Sequence, residues 1–153
     1  MSLSKFQKEM YVDVAYFTWP DPVITYFTGI EPSHAHLLIS DKKALLFLTK
    51  LDRSPKIEGI ITVTLKKGWE ERIKKFCMNS KTIGINKENL TVGSFEKLKK
   101  TLKKKKYVNI SSDVSNIRKI KTKLEIENIL DNDIKKISGG ELQRVAIAAT
   151  VLK

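Results

Sequence analysis

The sequence holds one cysteine, Cys77, among 153 residues. No internal disulfide can form, and there is no thiolate set for a structural zinc. Glycine and proline are sparse, at seven and four, which excludes collagen-like and low-complexity architectures. No apolar run approaches the ~18 residues of a membrane span. The longest, residues 145–152, is eight even with Thr150 counted. The first ten positions carry Lys5, Lys8 and Glu9 without an apolar stretch, so no secretory leader is expected. Histidine is limited to His34 and His36. These absences predict a cytoplasmic, disulfide-free protein with no membrane association.

Apolar residues make up 41% of the chain and charged residues 30%. That balance fills a core and fits a globular fold rather than disorder. The length suits one ordinary domain plus an appendage and is too short for two full enzyme domains.

The net charge of +12 is unevenly spread. Lysines number 25 against four arginines, and seven lysines lie within residues 97–106, leaving about +5 for the rest. Phosphate and base recognition draws on the planar arginine fork and on stacked aromatics. The arginines are scattered and no aromatic interleaves with the lysine block. The block therefore reads as a solvated helix end, favoured by the helix dipole, rather than a nucleic-acid site. A Lys-rich module for RNA or an acidic partner is the alternative.

Local patterns predict the elements. Leu3, Phe6 and Met10 repeat at helical spacing, and Val12 to Phe17 reads as a strand. Asp21-Pro22 is a cap followed by proline at the first helical position, opening a short helix that Gly29 stops. His36–Ile39 and Ala44–Thr49 flank a polar turn, as in a β-hairpin. A strand over 59–65 precedes a helix with Trp69, Ile73, Phe76 and Cys77 on one face. A strand over 82–85 follows, then a helix capped by Thr91 with Val92, Phe95, Leu98 and Leu102 on its apolar face, and a strand over 107–110. A hairpin followed by β-α-β-α-β predicts an α/β fold, a mixed, largely parallel sheet of five to six strands with helices on both faces. Cys77, on the apolar side of its helix, is expected to be a buried, inert thiol. Thr122-Lys123-Leu124-Glu125 and Ser138-Gly139-Gly140-Glu141 are capping-box patterns that predict further helix starts.

The order of these elements, with Val14-Ala15-Tyr16-Phe17, Tyr26-Phe27-Thr28-Gly29, the hairpin, and Ile117-Arg118-Lys119-Ile120-Lys121-Thr122-Lys123-Leu124-Glu125-Ile126, resembles the N-terminal, non-catalytic domain of the creatinase/prolidase family over residues 4–130. The resemblance implies a ribonuclease-H-like core at residues 1–116. It also implies an interdomain linker entering the first peptidase-domain helix at 117–130, leaving a helical tail at 131–153. In full-length members, two Asp, one His and two Glu hold two divalent metal ions in the peptidase domain. No such array follows residue 130 here, so the chain is expected to hold no metal or other cofactor and to be inactive alone. The role implied is that of a dimerisation and substrate-access domain of an Xaa-Pro dipeptidase or aminopeptidase. Its partners would be a second copy and a catalytic domain.

In some family members the loop after Thr-Gly places a histidine or arginine near the partner subunit's substrate. His34 and His36 are the candidates for that role. Two other readings stay open: ordinary loop and strand-edge residues, or, at i, i+2 on a strand, a pair that binds metal.

The tail is similar to a different family. Residues 137–150, including Ser138, Gly139, Gly140, Glu141 and Gln143, resemble the signature motif of ABC ATPases, closest to the RNase L inhibitor-type ribosome-recycling branch. There, backbone N–H groups at a helix N-terminus meet the nucleotide's terminal phosphate. The chain has no G-x-x-x-x-G-K-[ST] loop, so this segment is expected to be an inactive signature-like helix. The change of character near residues 130–133 suggests a junction between pieces of two proteins.

Overall fold

The computed structural model describes residues 2–52 and 56–116. Helix α1 (Leu3–Glu9) starts at Ser2, whose hydroxyl accepts from the Lys5 amide. Strand β1 (Val14–Thr18) is buried at every position. Helix α2 (Pro22–Thr28) is capped by Asp21 through the Val23 amide at 3.0 Å and ends at Gly29, in the left-handed region at φ 69°. Proline inside the start and glycine past the end is the asymmetry that helix termini favour. Strands β2 (Ala35–Ser40) and β3 (Ala44–Leu48) form the expected hairpin, its turn closed by the Ser40 and Lys43 backbones at 2.8 Å. Strand β4 (Ile60–Thr64), helix α3 (Trp69–Phe76), strand β5 (Thr82–Ile85), helix α4 (Val92–Thr101) and strand β6 (Lys106–Asn109) follow.

The sheet runs β4-β3-β2-β1-β5-β6. Pairs β1–β2 and β2–β3 are antiparallel, while β3–β4, β1–β5 and β5–β6 are parallel. Because β4 sits at one edge and β5 lies beyond β1, the connection between them crosses the hairpin. Helix α3 makes that crossing.

Alternation along the strands sorts side chains to two faces. One face carries Tyr16, Leu38, Phe47, Ile83 and Ile85, packed with Ile73 of α3, with Cys77 at the C-terminal cap of that helix, and with Leu98 of α4. The other carries Phe17, Leu37, Ile39, Leu46 and Leu48, all almost fully buried. Phe6 of α1 lies 6.4 Å from the Phe17 ring and 5.3 Å from the Phe27 ring of α2, so these two helices cover that second face. Each such core side chain contributes about 1.5–3 kcal/mol of burial. Residues 2–114 form one compact unit, and among the described residues no helix is long and apolar enough to cross a membrane.

Two expectations are corrected. Val92 is 79% exposed, because it occupies the first turn of α4, ahead of the turns that reach the sheet. Within the lysine block, whose other members are exposed as expected, Lys105 departs from the solvated reading. Lys105 is half-buried and its ammonium donates to the carbonyls of Cys77, Met78 and Ser80 at 2.8, 3.2 and 2.6 Å. A cation there meets carbonyls just past the end of α3 and the negative end of its dipole. The segments 117–130 and 131–153, with Ser138, Gly139, Gly140, Glu141 and Gln143, lie outside the described residues.

Candidate functional site

The crossing of α3 over the hairpin builds the site. Trp69, the first residue of α3, lands above β2 and β3. Its ring stacks on His36 with centroids 4.4 Å apart and planes 15° from parallel, and it meets Phe47 at 5.9 Å. Register puts His36 opposite Thr18, so Tyr16 is its diagonal neighbour on the same face. The Tyr16 hydroxyl lies 2.8 Å from His36 Nδ1. His36 is 7% exposed, and its Nε2 has no hydrogen-bond partner.

Electrostatics follow from that enclosure. Burial, reinforced by the nearby His34 and Lys97, pushes the His36 imidazole down to about 3. It is therefore uncharged at neutral pH. Burial raises the Tyr16 hydroxyl well above its ordinary value, so it keeps its proton. Cys77 is a buried free thiol pushed up to about 11, chiefly by burial.

His34 differs from His36 in one decisive respect: it is exposed. Its ring meets His36 edge-on at 4.8 Å. The segment that carries it is tied down by Asp52, which accepts from the Ser33 amide at 2.7 Å, the Ser33 hydroxyl at 3.1 Å and the Thr49 hydroxyl at 2.6 Å. Those donors, led by the Ser33 amide, hold the Asp52 carboxyl below its ordinary value. The sequence singled out both histidines but gave no sign of Trp69, Tyr16 or Asp52 as their neighbours. A polar Ser33, Thr49 and Asp52 around a hairpin mouth was the only available signal.

A cavity of about 230 Å³ opens between β2, α3 and α4, lined among others by Tyr16, His34, His36, Trp69, Ser94 and Lys97. A second, of about 420 Å³, lies at the start of α3 beside Lys66, Lys67 and Arg72. Among the described residues no group of three or more His, Cys, Asp or Glu gathers to hold a metal ion.

Similarity to known proteins agrees with this architecture. The Creatinase/Prolidase N-terminal domain of an X-Pro dipeptidase from Streptococcus pyogenes superposes with a TM-score of 0.58 at 22% identity, over 74% of this chain and 96% of that one. An X-Pro aminopeptidase from Thermotoga maritima gives 0.63 at 19% identity, over 76% of this chain and 34% of that one. A prolidase from Pyrococcus furiosus gives 0.57 at 21% identity, over 88% and 42%. This chain thus spans about a third and two-fifths of the latter two proteins. Separately, 31 residues, 20% of the chain, are 64% identical to 5% of an uncharacterized ABC transporter ATP-binding protein from Methanocaldococcus jannaschii. Residues 2–120 match the family model of the Creatinase/Prolidase N-terminal domain, and the chain belongs to that family.

Proposed function

We propose that this domain is the non-catalytic half of an Xaa-Pro peptidase-type metallohydrolase, where it assembles a homodimer and shapes access to the substrate site. The observation that carries the reading is the division of labour between the two histidines. His36 is enclosed and uncharged, stacked on Trp69. His34 is exposed, on a segment braced by Asp52. A braced, solvent-facing imidazole can donate or accept a hydrogen bond toward a neighbouring subunit. His34 is thus the candidate for the cross-subunit role, with His36 holding its ring from below.

The family membership and the names of the relatives support the Xaa-Pro assignment. The described residues do not fit a two-metal hydrolytic centre, since no cluster of carboxylates and imidazoles gathers among them. In this reading peptide cleavage belongs to a peptidase domain, and the role of residues 2–116 is assembly and substrate access.

Sedimentation equilibrium tests the assembly role. The chain should sediment as a dimer at about 100 μM, a concentration at which weak self-association is populated. A monomer there would overturn it, and so would hydrolysis of Ala-Pro by the isolated, Mn²⁺-supplemented chain.

The match to an ABC protein favours reading Ser138–Gln143 as a signature-like segment. Without a Walker A loop in this chain it is expected not to bind ATP. Calorimetry with Mg-ATP should show no heat beyond dilution, and measurable affinity would reverse that view.

A further inference from the structure

The orphaned nitrogen of His36 is the one buried side-chain polar atom without a partner among the described residues. A buried polar group left without a partner is costly, and His36 lines the cavity between β2, α3 and α4. Its chemical character follows from the neighbour on the other nitrogen. The Tyr16 hydroxyl is protonated, and its hydrogen-bond partner is His36 Nδ1 at 2.8 Å. Thr18 directs its own hydroxyl to the Ala35 carbonyl. In the tautomer in which Tyr16 donates to Nδ1, the neutral imidazole carries its proton on Nε2, and the cavity is then offered an unused N–H donor.

Two more donors line the same space. Lys97 holds its ammonium 5.2 Å from the Trp69 ring centroid, and its ion pair with the half-buried Glu70 is long, at 3.9 Å. The Ser94 hydroxyl accepts from Thr91 at 2.9 Å, which leaves its own proton available. The remaining walls include Trp69, Ile73 and Leu98, which are apolar. Donors of positive character beside an apolar wall complement an anion attached to an apolar body. They disfavour a metal cation, which would need a bare Nε2 and would face the Lys97 ammonium.

We propose that this cavity binds a small organic carboxylate with an apolar body, its oxygens accepting from His36 Nε2–H, the Ser94 hydroxyl and the Lys97 ammonium, its body against Trp69 and Leu98. The site goes beyond the assembly role and needs no second subunit.

Titration of the full chain, labelled with ¹⁵N-histidine, by sodium benzoate is the test, followed by long-range ¹H–¹⁵N spectra and Trp69 fluorescence. In the free protein His36 Nε2 should show the pyrrole-type shift of a protonated nitrogen. Benzoate should move that signal saturably, and neutral benzamide should bind at least about tenfold more weakly, as expected on losing a charge-assisted hydrogen bond. Lys97→Gln, a change at an exposed position that leaves the core intact, should weaken benzoate by a similar factor. A pyridine-type Nε2 in the free protein would overturn the proposal. So would an unchanged His36 signal under benzoate, equal binding of benzamide, unaltered affinity in Lys97→Gln, or a shift produced by Zn²⁺ and not by benzoate.

Discussion

Trp69 lies flat on His36, its ring centroid 4.4 Å away and its plane tilted by 15°. This contact joins the helix that crosses the sheet to the hairpin beneath it. It also closes one side of the cavity into which His36 Nε2 is unmatched. Removing the ring should cost more than its half-buried area suggests. Trp69→Ala is expected to lose about 2–4 kcal/mol of stability, and Trp69→Phe, which keeps a stacking plane, less than about 1.5 kcal/mol. Urea unfolding followed by far-ultraviolet circular dichroism checks both.

Acid should find His36. Its folded-state value is about 3 against an ordinary 6.5, so below pH 6.5 the unfolded chain takes up a proton that the folded one refuses. Stability from this group is complete above 6.5 and falls with decreasing pH down to about 3, at up to about 1.4 kcal/mol per pH unit. The groups facing the imidazole are Tyr16 from β1, His34 from its own segment, Trp69 from α3 and Lys97 from α4, and none is an anion that would rescue the charged form. Between pH 7 and pH 5 the wild type should lose about 2 kcal/mol relative to His36→Phe, which keeps the stack and cannot titrate. Parallel pH dependences in the two proteins would refute this.

Cys77 should be silent toward thiol reagents. It is buried and its pKa is pushed up to about 11, burial outweighing the nearby Lys105 and the Ser80 hydroxyl bond. The thiolate is the nucleophile, so 5,5′-dithiobis(2-nitrobenzoate) should label the native protein at least about a hundredfold more slowly than the urea-unfolded chain. Equal rates would contradict the packing assigned to α3.

Backbone geometry gives a pair of opposite effects. A Cβ at Gly84 in β5 would stand 2.9 Å from Val12 Cγ2 and 3.0 Å from two carbons of Ile110. Both neighbours are β-branched and cannot swing aside, so Gly84→Ala should destabilise by about 1–3 kcal/mol. Lys104 sits at φ 60° in the turn before β6, a left-handed conformation that costs an L-residue about 1–2 kcal/mol. Lys104→Gly should relieve part of that and stabilise by about 0.5–1 kcal/mol after its larger unfolded-state entropy is counted. Thermal unfolding of the two variants decides both signs.

Much of this fold was legible where chemistry is local. Asp21-Pro22, Gly29 and Thr91 mark helix ends because a cap needs only its own neighbours. The hairpin was readable because β2 and β3 alternate around a short polar turn. Long-range contacts were not readable. Asp13 accepts from Lys81 and Thr82 amides at 2.7 and 2.8 Å, stitching the start of β1 to β5 across a gap no sequence pattern records. The same holds for Lys105, whose role depends on where α3 ends in space. His34 and His36 were visible as a pair, but which one is buried depends on Trp69 arriving from 33 positions away. Val92 misled because helical spacing shows which side a residue takes, and not whether the sheet reaches that turn.

The sharpest test of the division between the two histidines is carbethoxylation by diethyl pyrocarbonate, located by fragmenting the peptide that contains both. The exposed His34 should react readily, and His36 at least about tenfold more slowly until the protein is unfolded. Modification of His36 in the native chain as fast as His34 would contradict the enclosed, Trp69-covered imidazole on which the site is built.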